Sequence, residues 1–509
     1  MILIMALAPF ENEDPANFAS KETLEGFDQA LRLAAPSFLQ AVRDVRPVGI
    51  EEARAAVKAA KTACVDWSLR TVESRAAILL RAAEIIRERK FELAAWILLE
   101  VRKNRQEADA DVCEAIDFLE YYTREAVRIG QEGPMKPLGV AAVIAPWNFP
   151  LAILAGMTAA ALVTGHVVLM KPAEQSPVIA RRLFEILREA GVPEGVLHLL
   201  PGSGERVGDF LVRSPDVDLV AFTGSKEVGM QIASLKEKTI AEMGGKNAII
   251  VDESADLETA VEQSKLSAFG FQGQKCSACS RIILLSQVYE PFKERFLDSV
   301  SKIRIGNPQD PQNFMGPVID DESFQKINRL IEMGEHEARL LYRGEAPKGG
   351  RFIGPTVFGD VPPFAWIAQK EIFGPVVCLM KARDLGEALK IANHVPYDLT
   401  GGFFSSDRTA IARIKRDFEV GNLYINRKIT GALVACQPFG GYRLSSLGFK
   451  AGGPDYLWQF LEWGRPPNMP ESRDLPSAPF QPQDRNQLVY IKEGSRFLGK
   501  TICERATPS

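Results

Sequence analysis

The residues best equipped for chemistry in this 509-residue chain lie in Gly270–Arg281, which reads Gly-Phe-Gln-Gly-Gln-Lys-Cys-Ser-Ala-Cys-Ser-Arg. A cysteine attacks carbon only as its thiolate, which forms where cations and hydrogen-bond donors surround an accessible sulfur. Lys275 and Arg281 offer the charge, and Ser277 and Ser280 offer hydroxyls. Spacing leaves Cys276 and Cys279 both open as the nucleophile, against the reading that both are buried structural thiols.

Other residues could serve such a thiol. Glu242, in Glu-Met-Gly-Gly-Lys246, could act as a general base beside flexible glycines, or could simply bond nearby amides. Asn148, in Pro146-Trp-Asn-Phe-Pro150, is an amide in an apolar run that could donate to a developing oxyanion. Thr223-Gly224-Ser225 between a strand and a helix suits a phosphate. Lys171-Pro-Ala-Glu174 could bind ribose hydroxyls, or form a surface ion pair; its carboxylate favours NAD over a 2′-phosphorylated cofactor. Gly202–Gly208 is one residue too long for the usual dinucleotide fingerprint and reads better as a glycine-rich turn. Glu371, in Glu-Ile-Phe-Gly-Pro375, is a second carboxylate later in the chain.

Positioning these groups is the task of alternating strands and helices. Gly139–Met170 lacks charge and is long enough to span a bilayer. Pro146, Asn148 and Pro150 break it, so it reads as strand Val140–Ala145, helix Leu151–Thr164 and strand Val167–Met170. From residue 140 the alternation continues to Ala241, and a second series runs from Asn247 to Ile425. The pattern predicts an α/β protein with two Rossmann-like domains and a cleft between them. Before it, residues 21–45, 50–63, Arg75–Trp96 and Glu107–Tyr122 read as helices, and Thr123–Pro137 as a polar connector. The divisions expected are 1–243 for a cofactor domain with N-terminal helices and 244–425 for a domain carrying the cysteine. A return segment over 426–462 and a polar, proline-rich, loosely attached tail over 463–509 follow.

Composition narrows the partners. A formal net charge of −4 without long single-sign runs argues against nucleic acid and anionic membranes. Seven scattered cysteines make no disulfide framework and suit a reducing, cytoplasmic setting. The Cys276–Cys279 spacing has no second pair or histidine cluster, so no metal is expected. Met1–Ala8 is too short and runs too soon into Glu11–Asp14 to read as a signal peptide.

Taken together, Pro146–Pro150, Lys171–Glu174, Phe222–Ser225, Glu242–Lys246, Cys276 with Arg281, and Glu371–Pro375 stand in the order of the aldehyde dehydrogenase superfamily, which the chain resembles to about residue 462. Glu114–Tyr122, Gly270–Arg281, Asn422–Gln437 and Gln437–Gly441 are similar to the L-glutamate γ-semialdehyde (1-pyrroline-5-carboxylate) dehydrogenases. Lys450–Tyr456 resembles the version fused into bifunctional proline-utilisation proteins, whose flavin domain is not expected here.

The resemblance implies NAD-dependent oxidation of the semialdehyde to glutamate in proline catabolism. Cys276 would be the nucleophile and Cys279 a structural thiol. Asn148 and the Cys276 amide would hold the oxyanion, and Glu242 would activate the hydrolytic water. It places Trp147, Lys171, Glu174, Gly208, Gly224, Ser225, Glu371 and Phe373 on NAD. Ser277 with the Gly431–Ala432 amides would take the substrate carboxylate, and Phe149 and Phe439 its aliphatic stem. Two departures stand out. The N-terminal region and the segment between Tyr122 and Pro137 are short, which weakens the expectation of a homo-oligomer. Val101-Arg102-Lys103 replaces a usual Gly-Lys pair. A general-substrate NAD(P)-dependent aldehyde dehydrogenase and a non-catalytic NAD-binding relative are the competing readings.

Overall fold

The computed structural model describes residues 8–462 and the backbone of 501–504. Strands β1 (Val140–Ile144), β2 (Val167–Lys171), β3 (Leu197–Leu199), β4 (Leu219–Thr223) and β5 (Thr239–Glu242) come first. After them run β6 (Asn247–Val251), β7 (Cys279–Leu285), β8 (Arg339–Arg343), β9 (Thr356–Gly359) and β10 (Val376–Ala382). The last are β11 (Thr400–Phe404), β12 (Asn422–Ile425), β13 (Ser446–Leu447) and β14 (Thr501–Glu504). They form a six-stranded sheet ordered β13-β5-β4-β1-β2-β3 and an eight-stranded sheet ordered β14-β12-β11-β6-β7-β10-β9-β8. Pairing is parallel except for β13 on β5 and β8 on β9. This is the α/β architecture that the alternation predicts.

β1, β2 and β6 are buried at every position. Continuous apolar runs of this kind belong to parallel strands covered by helices on both faces. The helix Ala152–Thr164 between β1 and β2 is almost wholly buried and stops at Gly165, whose φ of 106° closes it. The uncharged stretch is therefore an interior β-α-β unit. No helix among the described residues is long and apolar enough to cross a membrane.

In the first sheet β1 has β4 on one side and β2 on the other, so the chain reverses direction of travel there. Such a switch point opens a crevice at the carboxyl ends of the strands. The loops after β1 and β4 carry Trp147–Pro150 and Gly224-Ser225. The second sheet meets this crevice with its amino ends: Asn148 donates to Gln274 O ahead of β7, and Glu371 ahead of β10 accepts from the Gly245 N–H ahead of β6.

Several boundaries differ from expectation. The supposed connector Thr123–Pro137 is helical to Glu132, in one helix Arg105–Glu132 capped by Asn104, whose Oδ1 accepts from the Glu107 N–H. Ala126 and Ile129 extend the buried face of Tyr122 at helical spacing, which is the reason the helix continues. Arg75–Trp96 is two helices, Val72–Glu88 and Lys90–Val101, parted at Arg89. The second ends on Arg102 at φ 64°, the left-handed position glycine usually fills. The tail is not wholly detached, since Thr501–Glu504 pairs in parallel with β12. Residues 1–7, 463–500 and 505–509 lie outside the described residues, and with them most of the Met1–Ala8 and 463–509 expectations.

Candidate active site

Cys276 sits in the loop between the helix Leu257–Phe269 and β7. The loop opens with a tight turn, Gly270–Gly273, in which Phe271 and Gln272 take left-handed φ values of 49° and 56°. Side chains of such strained backbone must be fixed from outside. Gln272 Nε2 donates to Pro317 O at 2.9 Å, and Gln274 Oε1 accepts from the Ile319 N–H at 3.0 Å. On the other side of the thiol, Asn247 Nδ2 donates to the carbonyls of Cys276 (2.7 Å) and Ala278 (2.9 Å), while its Oδ1 accepts from the Thr400 N–H. Asn247 thus pins the cysteine peptide, a part that sequence reading took only as the start of a strand.

The charge expected around the thiol is absent from it. Lys275 Nζ is paired with Glu107 Oε1 at 2.6 Å, tying the loop to the helix Arg105–Glu132. Arg281 is buried on β7 and gives its donors to the carbonyls of Lys246, Ile391 and Ala392, each at 2.9 Å. Both cations serve the frame. Burial, and then the carboxyls of Glu371, Glu242 and Glu114, push the Cys276 thiol up to about 12. Cys279 is buried at the head of β7, with its Sγ 3.4 Å from Arg281 O.

Glu242 ends β5. Burial raises its carboxyl to about 8, and Ser446 Oγ donates to its Oε2 at 2.5 Å. Asn148 is buried, and its Nδ2 donates to Gln274 O at 3.1 Å, two residues before the cysteine. Glu371 is raised by burial to about 7 while its Oε1 accepts from the Gly245 N–H at 3.0 Å.

Cys276, Glu242, Phe149, Ser277, Gly431, Ala432 and Phe439 line one cavity of about 100 Å³. That exceeds the ~10–15 Å³ a single water needs, so a small organic molecule has room. Gly431 takes φ 74°, a left-handed conformation that glycine adopts without a Cβ penalty. Phe149 is backed by the buried Lys103, whose Nζ lies 3.8 Å from the ring centre and 2.6 Å from Asp111 Oδ2. Asp111 Oδ1 in turn accepts the Ala152 N–H at the start of the helix after Asn148. The cavity also includes Thr223, read from the sequence as part of a phosphate turn, and Glu114, Phe118, Tyr122, Met157 and Tyr456, to which sequence reading gave no individual role. Burial, then the Asp111 carboxylate, raises Glu114 to about 8. For Glu114, Phe118 and Tyr122 a signal existed: they fall four apart on one helix.

The residues expected on NAD divide into two groups. Glu371 and Phe373 line a small hollow with Gly245, Gly273 and Cys279, and Trp147 meets the Phe373 ring edge-on at 5.7 Å. Lys171, Glu174, Gly208, Gly224 and Ser225 follow the carboxyl ends of β2, β3 and β4, outside the cavity of Cys276. Lys171 Nζ donates to Pro172 O, and Glu174 Oε1 accepts from the Gly204 N–H at 3.0 Å, joining the loops after β2 and β3. Gly204–Gly208 is a single wide helical turn that runs straight into the helix Asp209–Arg213. Ser225 caps the helix Lys226–Leu235 by accepting from the Val228 N–H.

Comparison with known proteins gives consistent results. Residues 25–464 match the Aldehyde dehydrogenase family. A 1-pyrroline-5-carboxylate dehydrogenase from Geobacillus thermodenitrificans (strain NG80-2) is 49% identical over 430 residues, covering 80% of this chain and 84% of that protein. The crystal structure of a 1-pyrroline-5-carboxylate dehydrogenase from Thermus with bound NAD superposes with a TM-score of 0.85 at 42% identity, over 90% of this chain and 98% of that one. Proline utilization A from Bdellovibrio bacteriovorus, inactivated by N-propargylglycine, gives 0.85 at 43% identity over 89% of this chain, which spans 52% of that protein.

Proposed function

The chain belongs to the aldehyde dehydrogenase family, and from that premise we propose that it oxidises L-glutamate γ-semialdehyde, formed from 1-pyrroline-5-carboxylate, to L-glutamate with NAD. The observation that carries the reading is the single cavity shared by Cys276, Glu242, Ser277 and the Gly431-Ala432 turn.

The residues fit a dinucleotide. The helix N-terminus at Ser225 suits a pyrophosphate, and Lys171 and Glu174 suit ribose hydroxyls at the same sheet edge. Glu371 presents a buried carboxyl, held by one backbone N–H, beside the thiol loop. When bound, NAD supplies the acceptor for the hydride lost by the substrate adduct on Cys276.

The chain's own residues do the rest. The Cys276 sulfur, once deprotonated, attacks the aldehyde carbon. Asn148 spends one N–H on Gln274 O and keeps a second for the oxyanion, beside the Cys276 amide. Loss of hydride leaves a thioester. Glu242 takes a proton from water, the hydroxide adds to the thioester carbon, and the thiolate leaves with glutamate released.

Substrate choice follows from charge. A buried carboxylate needs donors, which the amides of Gly431 and Ala432 and the Ser277 hydroxyl supply. Glu114 faces the same cavity and suits the substrate ammonium. Phe149 and Phe439 flank the stem between them.

The test is NADH formation from 1-pyrroline-5-carboxylate against propanal. A preference of at least about 100-fold in kcat/KM, roughly 2.7 kcal/mol, is expected, and Cys276→Ser should abolish the NADH burst. Equal efficiency on both aldehydes would refute the substrate assignment, and a burst surviving in Cys276→Ser would refute the nucleophile.

A further inference from the structure

We propose that Ser446 is a positioning residue for the hydrolytic step: its hydroxyl fixes the Glu242 carboxylate in place and stabilises its charged form. The inference rests on the reading of Cys276 as the acylated nucleophile and Glu242 as the base that clears it.

β13 is two residues long and lies antiparallel on β5, with Ser446 directly opposite Glu242. Ser446 Oγ accepts the Gly441 N–H at 2.7 Å and stands 2.5 Å from Glu242 Oε2. A backbone N–H can only donate, so the hydroxyl hydrogen is left to point at the carboxylate. The neighbouring residue holds the hydroxyl in register. Ser445 Oγ donates to Gly244 O and accepts the Asp398 N–H, each at 3.0 Å, and Ser445 O accepts the Met243 N–H at 2.8 Å. The serine is thus fastened by backbone on both sides while its one free hydrogen serves the base.

Other ionisable groups act on Glu242. Lys450 favours its charged form through space, with its Nζ donating to Gly421 O. The thiol of Cys276 and the phenols of Tyr122 and Tyr456 are buried and uncharged near it, and Glu114 lines the same cavity. Burial pushes the carboxyl up to about 8, and the Ser446 hydroxyl pulls it down. Without that hydroxyl the carboxyl rises further, so a smaller fraction is ionised and able to take the water proton at neutral pH.

The experiment is a single turnover with 1-pyrroline-5-carboxylate and NAD, quenched at intervals, with acylated Cys276 counted by intact mass. Wild type, Ser446→Ala, Ser446→Gly and Ser446→Thr are compared at pH values either side of about 8. The NADH burst should be alike in all four. Acyl-enzyme decay in the alanine and glycine variants should shift upward by about one pH unit, hence roughly tenfold slower on the acid side. Threonine, which keeps the hydroxyl, should restore the wild-type profile. Glycine carries the test if alanine does not fold. A decay that slows equally at every pH, or a midpoint that stays put, would overturn the proposal. An acyl-enzyme missing from the wild type would overturn the functional reading as well, so the two failures are distinct.

Discussion

Glu114 shows what a single residue contributes when its environment is counted. It is a carboxyl in a cavity lined by Phe118, Tyr122, Phe149, Phe439 and Tyr456. In the proposed function its use is to meet the charge that distinguishes an amino-acid aldehyde from a plain one. Glu114→Gln should raise KM for glutamate semialdehyde about tenfold and leave glutarate semialdehyde, which lacks the amine, within about twofold. Steady-state NADH assays on the two aldehydes measure this, and equal effects on both would refute the role. At this scale the sequence was half legible. Residue types made Cys276, Glu242 and Asn148 candidates, left Cys279 open beside Cys276, and needed the family resemblance to assign roles. Lys275 and Arg281 misled, because a cation's partner is a three-dimensional fact: Glu107 lies 168 residues from Lys275, and the carbonyls of Ile391 and Ala392 lie 110 and 111 from Arg281. Asn247 escaped notice for the same reason.

Among the elements, the helix Lys90–Val101 and its stop carry the clearest consequence. Arg102 holds a left-handed φ of 64° that a Cβ disfavours by ~1 kcal/mol. The departure from the family's glycine is therefore a cost in backbone strain at the end of a helix. Arg102→Gly should raise Tm by about 1–2 °C with kcat unchanged, read by scanning calorimetry beside an activity assay. A fall in Tm would show that the arginine side chain contributes more than its backbone costs. The elements also show where periodicity fails. Interior parallel strands such as β6 announced themselves as apolar runs. β8, Arg-Leu-Leu-Tyr-Arg, is exposed or half-buried throughout and gave no such signal. Thr123–Glu132 looked polar because only one face of that helix is buried.

For the molecule as a whole, the carboxyl edge of one sheet meets the amino edge of the other, and Asn148, Glu242, Cys276 and Glu371 lie on that seam. Ligands that fill it should hold the two sheets together. NAD at about 100 times its Kd should add ~2.7 kcal/mol to stability, seen as a rise in Tm of several degrees. NADP should do less, because its extra phosphate would lie against the Glu174 carboxylate. Equal shifts with both would show that Glu174 does not read the ribose. The alternation of strands and helices sufficed to predict two sheets, but not how their edges meet. That depends on long-range bonds such as Asn148 to Gln274 and Gly245 to Glu371, which no local pattern encodes.

The antiparallel pairing of β13 with β5 joins residues 204 apart in the chain. A polypeptide leaving the ribosome therefore releases Glu242 long before Ser446 exists to meet it. The edge of the first sheet is finished only after strands β6 to β12 of the second sheet have been synthesised. A nascent chain can carry the thiol and the base and still lack the contact that fastens them into one site, so competence arrives with the last hundred residues.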